Sequence, residues 1–317
     1  MSDILFVKTS SLGDVIHNMP AVSDVRKVLP KARITWIVEE AFAPLVRLHP
    51  GVDNVIPVAS RRWRKEFYKF SSWREMRDFT CVARRQIYDT IIDTQGLFRS
   101  AVITKLVQGR RHGYDLASAR EPISTYFYDV RHNVSRDLHA IERNRILTAR
   151  ALNYAHKGEP DYGLDQRRLS GSGHDRYAVL LPSTAQPRKE WPEHFWREIG
   201  RGLEEQGLEL VIPWGTELER RRSERIAAGL SRVRIPQRQS LDKVAQLIAG
   251  AALVVGVDTG LMHLAAGLRV PLVAIFVGSK PGLTGPIGSG PIKCVGDDGQ
   301  SPSVDVVSDA ISQVAAK

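Results

Sequence analysis

The sequence predicts an α/β protein with two doubly wound domains in tandem, each a parallel sheet covered by helices, facing a central cleft. Three observations carry this. Short apolar runs alternate with amphipathic stretches along nearly the whole chain, and such alternation implies crossover connections and a sheet buried on both faces. The alternation lapses once, between residues 153 and 175, into HKGEPDYGLDQRRLSGSGHD, where Gly, Pro, Ser and charge dominate as in an interdomain linker. Finally, 317 residues exceed one small module and suffice for two domains. The expected boundaries are a first domain over 1–160 with a linker to about 175, a second over 176–300, and a C-terminal helix over 301–317 that packs back on the first domain.

Residues 4–7 form an apolar run ending in Lys8, followed by the loop Thr9-Ser10-Ser11-Leu12-Gly13-Asp14 and an amphipathic stretch over 15–28: strand, loop, helix. Further β-like runs fall at 33–38, 55–58 and 90–93, separated by helical patterns at 42–48, around 73–87 and at 98–106. After the linker, strands are expected at 177–181, 208–213, 233–235, 254–257 and 271–276. Helices are expected after Pro192, from Glu217, from Leu241, after Thr259 and over 304–316. No solenoid repeat or low-complexity segment interrupts this order.

Composition narrows the class. With 43% hydrophobic and 25% charged residues and a mean hydropathy of −0.22, the chain is too apolar for disorder and too mixed for a coiled coil. Cys81 and Cys294 stand far apart without a pair motif, which fits a reducing compartment and argues against a zinc ribbon. The opening MSDILFVKTS lacks a signal pattern, and the apolar runs 251–257 and 270–277 fall short of the ~20 residues of a membrane helix, so a cytoplasmic location is expected.

Forty-five Lys and Arg against 35 Asp and Glu give a net charge of +10, which suits nucleic acid, an anionic membrane surface or a phosphorylated substrate. An arginine-rich proteome gives the same excess. Arg61, Arg62, Arg64, Lys65 and Lys69 crowd one segment with Trp63, Phe67 and Tyr68; Arg110, Arg111, His112 and Arg120 form a second group. Helix-turn-helix, RNA-recognition and zinc signatures are missing, so no nucleic-acid partner is expected.

In open parallel sheets ligands bind beyond the strands' carboxyl ends, which singles out four turns. KTSSLGD, residues 8–14, places Lys8, Ser11 and Gly13 beside Asp14 at a helix start; Asp14 is an N-cap or a general base facing the cleft. It lacks the glycine spacing of a dinucleotide or P-loop site. VDTGLMHLAAG, residues 257–267, ends a buried strand in Asp258 and opens a helix at Thr259-Gly260, with His263 one turn on; free amides and the helix dipole there favour a phosphate or diphosphate, while a capped helix with a buried histidine accounts for the same residues. LPSTAQPRKEWP, residues 181–192, brings Ser183, Thr184, Arg188 and Lys189 to a strand end, suited to a phosphorylated leaving group or simply a charged loop. In PWGTELE, residues 213–219, Glu219 can accept from ribose hydroxyls or complement a helix dipole. No Asp-x-Asp pair, His-Glu-x-x-His, Cys cluster or nucleophile elbow is present, which leaves a metal-independent transfer.

In order, VKTSSLGDVIHNMPA, IPVASRRWRKE, DTQGLFRSA, GRRHGYD with SAREP, HAIERNR, RKEWPEHFW, PWGTELER and GVDTGLMHLAAG resemble the heptosyltransferases of lipopolysaccharide core synthesis in Gram-negative bacteria. The RRWRKE and KTSSLGD blocks look like members that add the first heptose rather than the second. The resemblance implies a GT-B glycosyltransferase of two Rossmann-like domains that transfers L-glycero-D-manno-heptose from ADP-heptose to Kdo₂-lipid A with inversion and no metal or other cofactor. Addition of the second heptose, or another nucleotide-sugar reaction such as epimerisation or hydrolysis on the same scaffold, is the alternative. Asp14 stands at the family's general base. Lys189, Thr184, Thr259, Gly260, His263 and Asp258 stand at its donor-diphosphate site, and Glu219 at its adenosine ribose contact. Ala185 departs from the family's second hydroxyl, and Ser183 is the candidate substitute. Lys8, Ser11, Gly13, Arg61, Arg62, Arg64, Lys65 and Arg120 are expected to meet the anionic acceptor, on a protein peripheral to the cytoplasmic face of the inner membrane. With base and diphosphate site on different domains, closure of the cleft is expected before transfer.

Overall fold

The first apolar run becomes a central strand because its residues are apolar on both faces. Ile4, Leu5, Phe6 and Val7 of β1 (Asp3–Val7) are fully buried, and β1 pairs in parallel with a strand on either side. The structure is a computed structural model that describes residues 2–170 and 176–315. It divides into two units, Met1–Gly163 and Leu164–Lys317.

In the first unit β1 is joined by β2 (Arg33–Glu39), β3 (Asn54–Val58), β4 (Ile87–Asp93), β5 (Gln108–Tyr114) and β6 (Val130–His132), in the order β3-β2-β1-β4-β5-β6. The second unit holds β7 (Tyr177–Leu181), β8 (Glu209–Val211), β9 (Val233–Arg234), β10 (Leu253–Val257), β11 (Leu272–Ile275) and β12 (Ile292–Val295). Its order, β9-β8-β7-β10-β11-β12, repeats that of the first. Every pairing in both sheets is parallel. Strand order therefore reverses between β1 and β4 and between β7 and β10, and such switch points are where doubly wound sheets take ligands.

The expected linker contains the unit boundary, although its residues 171–175 lie outside the described residues. Part of it is ordered as the helix Gln166–Leu169, capped by Asp165 and tied to the second unit by a hydrogen bond from the Gln166 amide to the Ala249 carbonyl at 3.0 Å. The amphipathic stretch expected over 15–28 is two helices, Leu12–Ile16 and Met19–Val28. Pro20 explains the break, since proline fits a first helical turn but removes a donor from a helix interior.

The last helix, Val304–Ala315, belongs to the second unit. Val307, Ala310, Ile311 and Val314 join the core of the second unit with Trp196, Leu253 and Ile275, so the helix covers its own sheet. Their spacing is one apolar stripe, and β11 and β12 supply the surface that buries it.

Three strands escaped the sequence reading. β5 runs through GRRHGY, where Arg110 and Arg111 mask the strand pattern; Arg111 is neutralised by Asp129 at 2.6 Å. β6 has three residues, and β12 is only half-buried, so neither leaves a strong apolar signal. Beside them, the Tyr128 hydroxyl donates to Asp93 at 2.8 Å and fixes the end of β4. A Cβ on Gly113 would lie 2.3 Å from the Tyr128 ring. Gly113→Ala should therefore destabilise the first unit by about 1–3 kcal/mol, read as a lower denaturation midpoint in urea.

Candidate active site

Both switch points carry a lysine and a carboxylate. In the first unit, Lys8 follows the last residue of β1, is buried, and donates from Nζ to the Thr94 carbonyl at 2.8 Å. Gln95, just after β4, accepts from the Thr9 and Ser10 amides at 3.0 and 3.1 Å and donates back to the Ser10 carbonyl. Asp93 receives the Gln95 and Gly96 amides at 2.8 and 3.2 Å. Gly96 adopts the left-handed region at φ +65° and makes this turn possible. The loops after β1 and β4 are thus fastened across the point where strand order reverses.

Asp14 stands in the first turn of the helix Leu12–Ile16 and accepts from the Ser11 amide at 2.9 Å. Arg120 grips the same carboxylate with both terminal nitrogens, at 2.7 and 3.3 Å. Ser11, not Asp14, is the N-cap; Asp14 is the third helical residue of a capping box and a charged residue of the candidate site at once. Burial pushes its carboxyl up, but the charges of Lys8 and Arg120 outweigh burial and hold it well below the usual carboxylate range. Burial pushes the Lys8 ammonium down to about 8, against the opposing pull of Asp14. Ser11 is exposed and Gly13 partly so, beside the carboxylate.

The basic segment forms the helix Ser60–Lys65 after β3. Its arginines are not equivalent. Arg62 is paired with Glu40 at 3.1 Å and Glu75 at 2.8 Å, so its charge is largely spent within the fold. Arg61 lies over the Phe42 ring, 5.4 Å from its centroid, while Arg64 and Lys65 are exposed. Trp63 packs edge-on against Phe79 at 5.8 Å and donates to Glu75, which makes it a core residue. Arg120 belongs to Asp14.

In the second unit, Asp258 follows the end of β10. Its carboxylate accepts from Lys189 Nζ and Ser279 Oγ, both at 2.6 Å, and its carbonyl accepts from Thr184 Oγ1 at 3.1 Å. Burial pushes the Asp258 carboxyl up, yet the bonds from Lys189 and Ser279 prevail and keep it low. Thr259 caps the helix Gly260–Gly267 in an extended conformation, without using its side chain, and His263 is buried on that helix. Ser183 Oγ is buried without a hydrogen-bond partner among the described residues, a state that calls for a polar ligand or water. Glu219 accepts the Gly215 and Thr216 amides at 2.7 and 3.1 Å, closing a capping box at the next strand end. Lys189, Ser183, Thr184, Asp258, Thr259, Gly260 and His263 thus gather around the ends of β7 and β10, with Glu219 at the neighbouring turn.

Two supporting residues escaped the sequence. Arg222 donates to the Pro182 and Trp191 carbonyls at 3.3 and 2.6 Å and pairs with Glu190 and Glu193, which fastens the loop bearing Lys189. Ser279 reaches Asp258 because Gly278 lies against the Arg188 carbonyl, where a Cβ would stand 2.5 Å from oxygen. Among the described residues, no group of three or more His, Cys, Asp or Glu is placed to hold a metal ion.

The family model described as Glycosyltransferase family 9 (heptosyltransferase) matches residues 78–310. The chain belongs to that family. It is 44% identical over 289 residues to lipopolysaccharide heptosyltransferase 1 of Pseudomonas aeruginosa, covering 90% of this chain and 81% of the relative. It is 40% identical over 295 residues, 92% of each chain, to the protein of the same name from Escherichia coli K12. Among solved structures, E. coli heptosyltransferase WaaC with ADP matches with a TM-score of 0.93 at 36% identity, over 99% of this chain and 100% of that one. This family 9 glycosyltransferase thus shares the GT-B fold that its motifs imply.

The Lys8–Asp14 coupling gives a direct expectation. Asp14 raises the Lys8 pKa, so in Asp14→Asn the ammonium should titrate below its present value of about 8. Arg120→Gln should move it the other way. Titration of the lysine side-chain NMR signals, assigned with Lys8→Arg, checks both shifts.

Proposed function

We propose that this glycosyltransferase transfers L-glycero-D-manno-heptose from ADP-heptose to a Kdo sugar of Kdo₂-lipid A, with inversion, and so begins the lipopolysaccharide inner core. The observation that carries the reading is the Asp14 carboxylate between Lys8 and Arg120, in a chain 40% identical to lipopolysaccharide heptosyltransferase 1. Identity to E. coli lipopolysaccharide heptosyltransferase 2 is 30%, which favours the first heptose over the second. The solved structure of WaaC with ADP-2-deoxy-2-fluoro heptose, at 36% identity, supports the donor.

The chemistry follows from charge. The acceptor hydroxyl ionises far above neutral pH, so its proton passes to Asp14 as the new C–O bond forms; positioned base catalysis of this kind contributes about 10²–10⁴-fold. The bond between the anomeric carbon and the donor phosphate breaks on the opposite face, and its electron pair leaves with ADP. Lys189, the Thr184 hydroxyl and the amides at Thr259–Gly260 face that growing charge, with Ser183 able to donate as well. Asp258 and Ser279 hold Lys189 in place, and Glu219 serves the ribose through the carboxylate capacity its capping bonds leave. Arg120 also tunes the base. An acceptor carboxylate competes with Asp14 for the guanidinium, and on losing that cation Asp14 becomes a stronger base. Arg61, Arg64 and Lys65 attract the anionic acceptor, with Arg62 mainly structural.

No helix among the described residues is long and apolar enough to cross a membrane. The proposed working position is peripheral, on the cytoplasmic face of the inner membrane where a lipid acceptor presents its sugars.

ADP release from ADP-heptose, with and without Kdo₂-lipid A and in EDTA, tests this reading. Release should require acceptor, survive EDTA, and fall about 10²–10⁴-fold in Asp14→Ala and about 10²–10³-fold in Lys189→Ala. Release without acceptor would instead mark a hydrolase or epimerase. Combined Arg61→Glu, Arg64→Glu and Lys65→Glu should raise the acceptor KM and leave ADP-heptose affinity unchanged; equal loss of donor binding would remove these residues from the acceptor site.

A further inference from the structure

Four large aromatic side chains crowd the surface within seven residues of the first unit. Phe67, Tyr68, Phe70 and Trp73 are 64%, 71%, 82% and 60% exposed. They sit on the turn between the helix Ser60–Lys65 and the helix Phe70–Ala83 and on the first turn of the latter. Exposed apolar side chains scattered singly need no explanation, whereas a contiguous group does.

The turn is held from beneath. Phe79 and Ala83 bury the helix Phe70–Ala83 in the core of the first unit, and Glu75 ties it to Arg62 and Trp63. Several of its polar groups are paired from within, although the buried Ser72 hydroxyl has no hydrogen-bond partner among the described residues. The Trp73 indole donates to the Phe67 carbonyl at 2.8 Å, Lys69 pairs with Glu66 at 2.7 Å, and the Lys69 and Ser72 amides donate to the Glu66 and Lys69 carbonyls at 2.9 and 3.1 Å. Each polar group paired in this way costs less on leaving water than a free one would. Phe67 and Tyr68 stand edge-to-face at 6.0 Å, which keeps two apolar faces outward.

Exposed cations share these helices with the aromatics, although Arg77 lies 4.0 Å from the Asp78 carboxylate. Arg64, Lys65, Arg74 and Arg77 are all exposed on the same two helices. Aromatic side chains with an amphipathic edge, ringed by Lys and Arg, suit the boundary between headgroups and acyl chains of an anionic bilayer.

We propose that the turn Glu66–Lys69 and the first turn of the following helix form a bilayer-inserting platform, in which Phe67, Tyr68, Phe70 and Trp73 enter the headgroup–acyl boundary while Arg64, Lys65, Arg74 and Arg77 bind anionic headgroups. The platform refines the peripheral position given under the proposed function by naming the residues that provide it. It requires no acceptor, so its test is separable from the reaction.

The full chain is sedimented with vesicles of phosphatidylcholine alone and of phosphatidylcholine mixed with phosphatidylglycerol, both free of Kdo₂-lipid A. Binding is expected on the mixed vesicles, weaker by about tenfold or more on the neutral ones. Phe67→Ser with Phe70→Ser should weaken binding to mixed vesicles by about tenfold or more, and Arg64→Gln with Lys65→Gln and Arg74→Gln should do the same. The emission of Trp73, obtained as the difference between the parent and Trp73→Phe, should shift to the blue on mixed vesicles; this reading does not depend on the serine variants folding. The inference is overturned if the parent ignores mixed vesicles, if the Trp73 emission stays unshifted, or if the folded aromatic variant binds as the parent does. It is equally overturned if soluble glycerol phosphate displaces the protein completely, which marks a free-phosphate site, or if the aromatic substitutions abolish only self-association in sedimentation velocity. ADP release in the assay above can fail without affecting any of these outcomes.

Discussion

Asp14 carries a negative charge into a place with little water, and the Lys8 ammonium and Arg120 guanidinium keep it there. Lys8 arrives at the end of β1, Arg120 comes from the segment after β5, and Asp14 opens the first helix. Lys8 is buried and Asp14 mostly so, at a desolvation cost that their mutual attraction and the exposed Arg120 guanidinium help to offset. The arrangement sets the chemistry, because a carboxylate between two cations is held acidic until one of them finds another anion. On the proposed function, an acceptor bearing a carboxylate is such an anion, so the contact that stabilises the resting site would make its activation depend on substrate.

The second unit repeats the device for the opposite purpose. Here Asp258 is the fixed anion that orients Lys189, with Ser279 sharing the load. On the proposed function, the first unit presents a carboxylate to take a proton, and the second presents a lysine, hydroxyls and a helix N-terminus to receive the charge of a leaving diphosphate. Both lie where strand order reverses, since only there do two loops diverge from adjacent strands and leave their backbone groups free for a ligand.

Much of this arrangement was legible because the candidate residues sit at strand-to-helix turns. Lys8, Asp14, Thr184, Lys189 and Asp258 each directly follow or closely trail an apolar run, so period and polarity mark them together. The strands that were missed are the edge or charge-bearing ones: β5 hides its register behind Arg110 and Arg111, and β12 is half-buried. Ser279 and Arg222 were missed because they act through tertiary contacts, across 21 residues to Asp258 and 31 residues to Trp191. The pairing of Arg120 with Asp14 spans 106 residues; sequence grouped that arginine with a basic cluster, and folding gave it to one carboxylate. The last helix shows the reverse limit, since its apolar stripe was plain but its docking face was settled by β11 and β12.

The most direct measurement is the pH dependence of kcat/KM for the acceptor, in wild type and in Arg120→Gln. With Asp14 held acidic by Lys8 and Arg120, the wild-type profile should show no acid limb above about pH 4, the ordinary carboxylate range. Loss of the Arg120 charge should move that limb upward. A wild-type limb between about pH 6 and 7, where histidine titrates, unmoved in Arg120→Gln, would show that another group takes the proton.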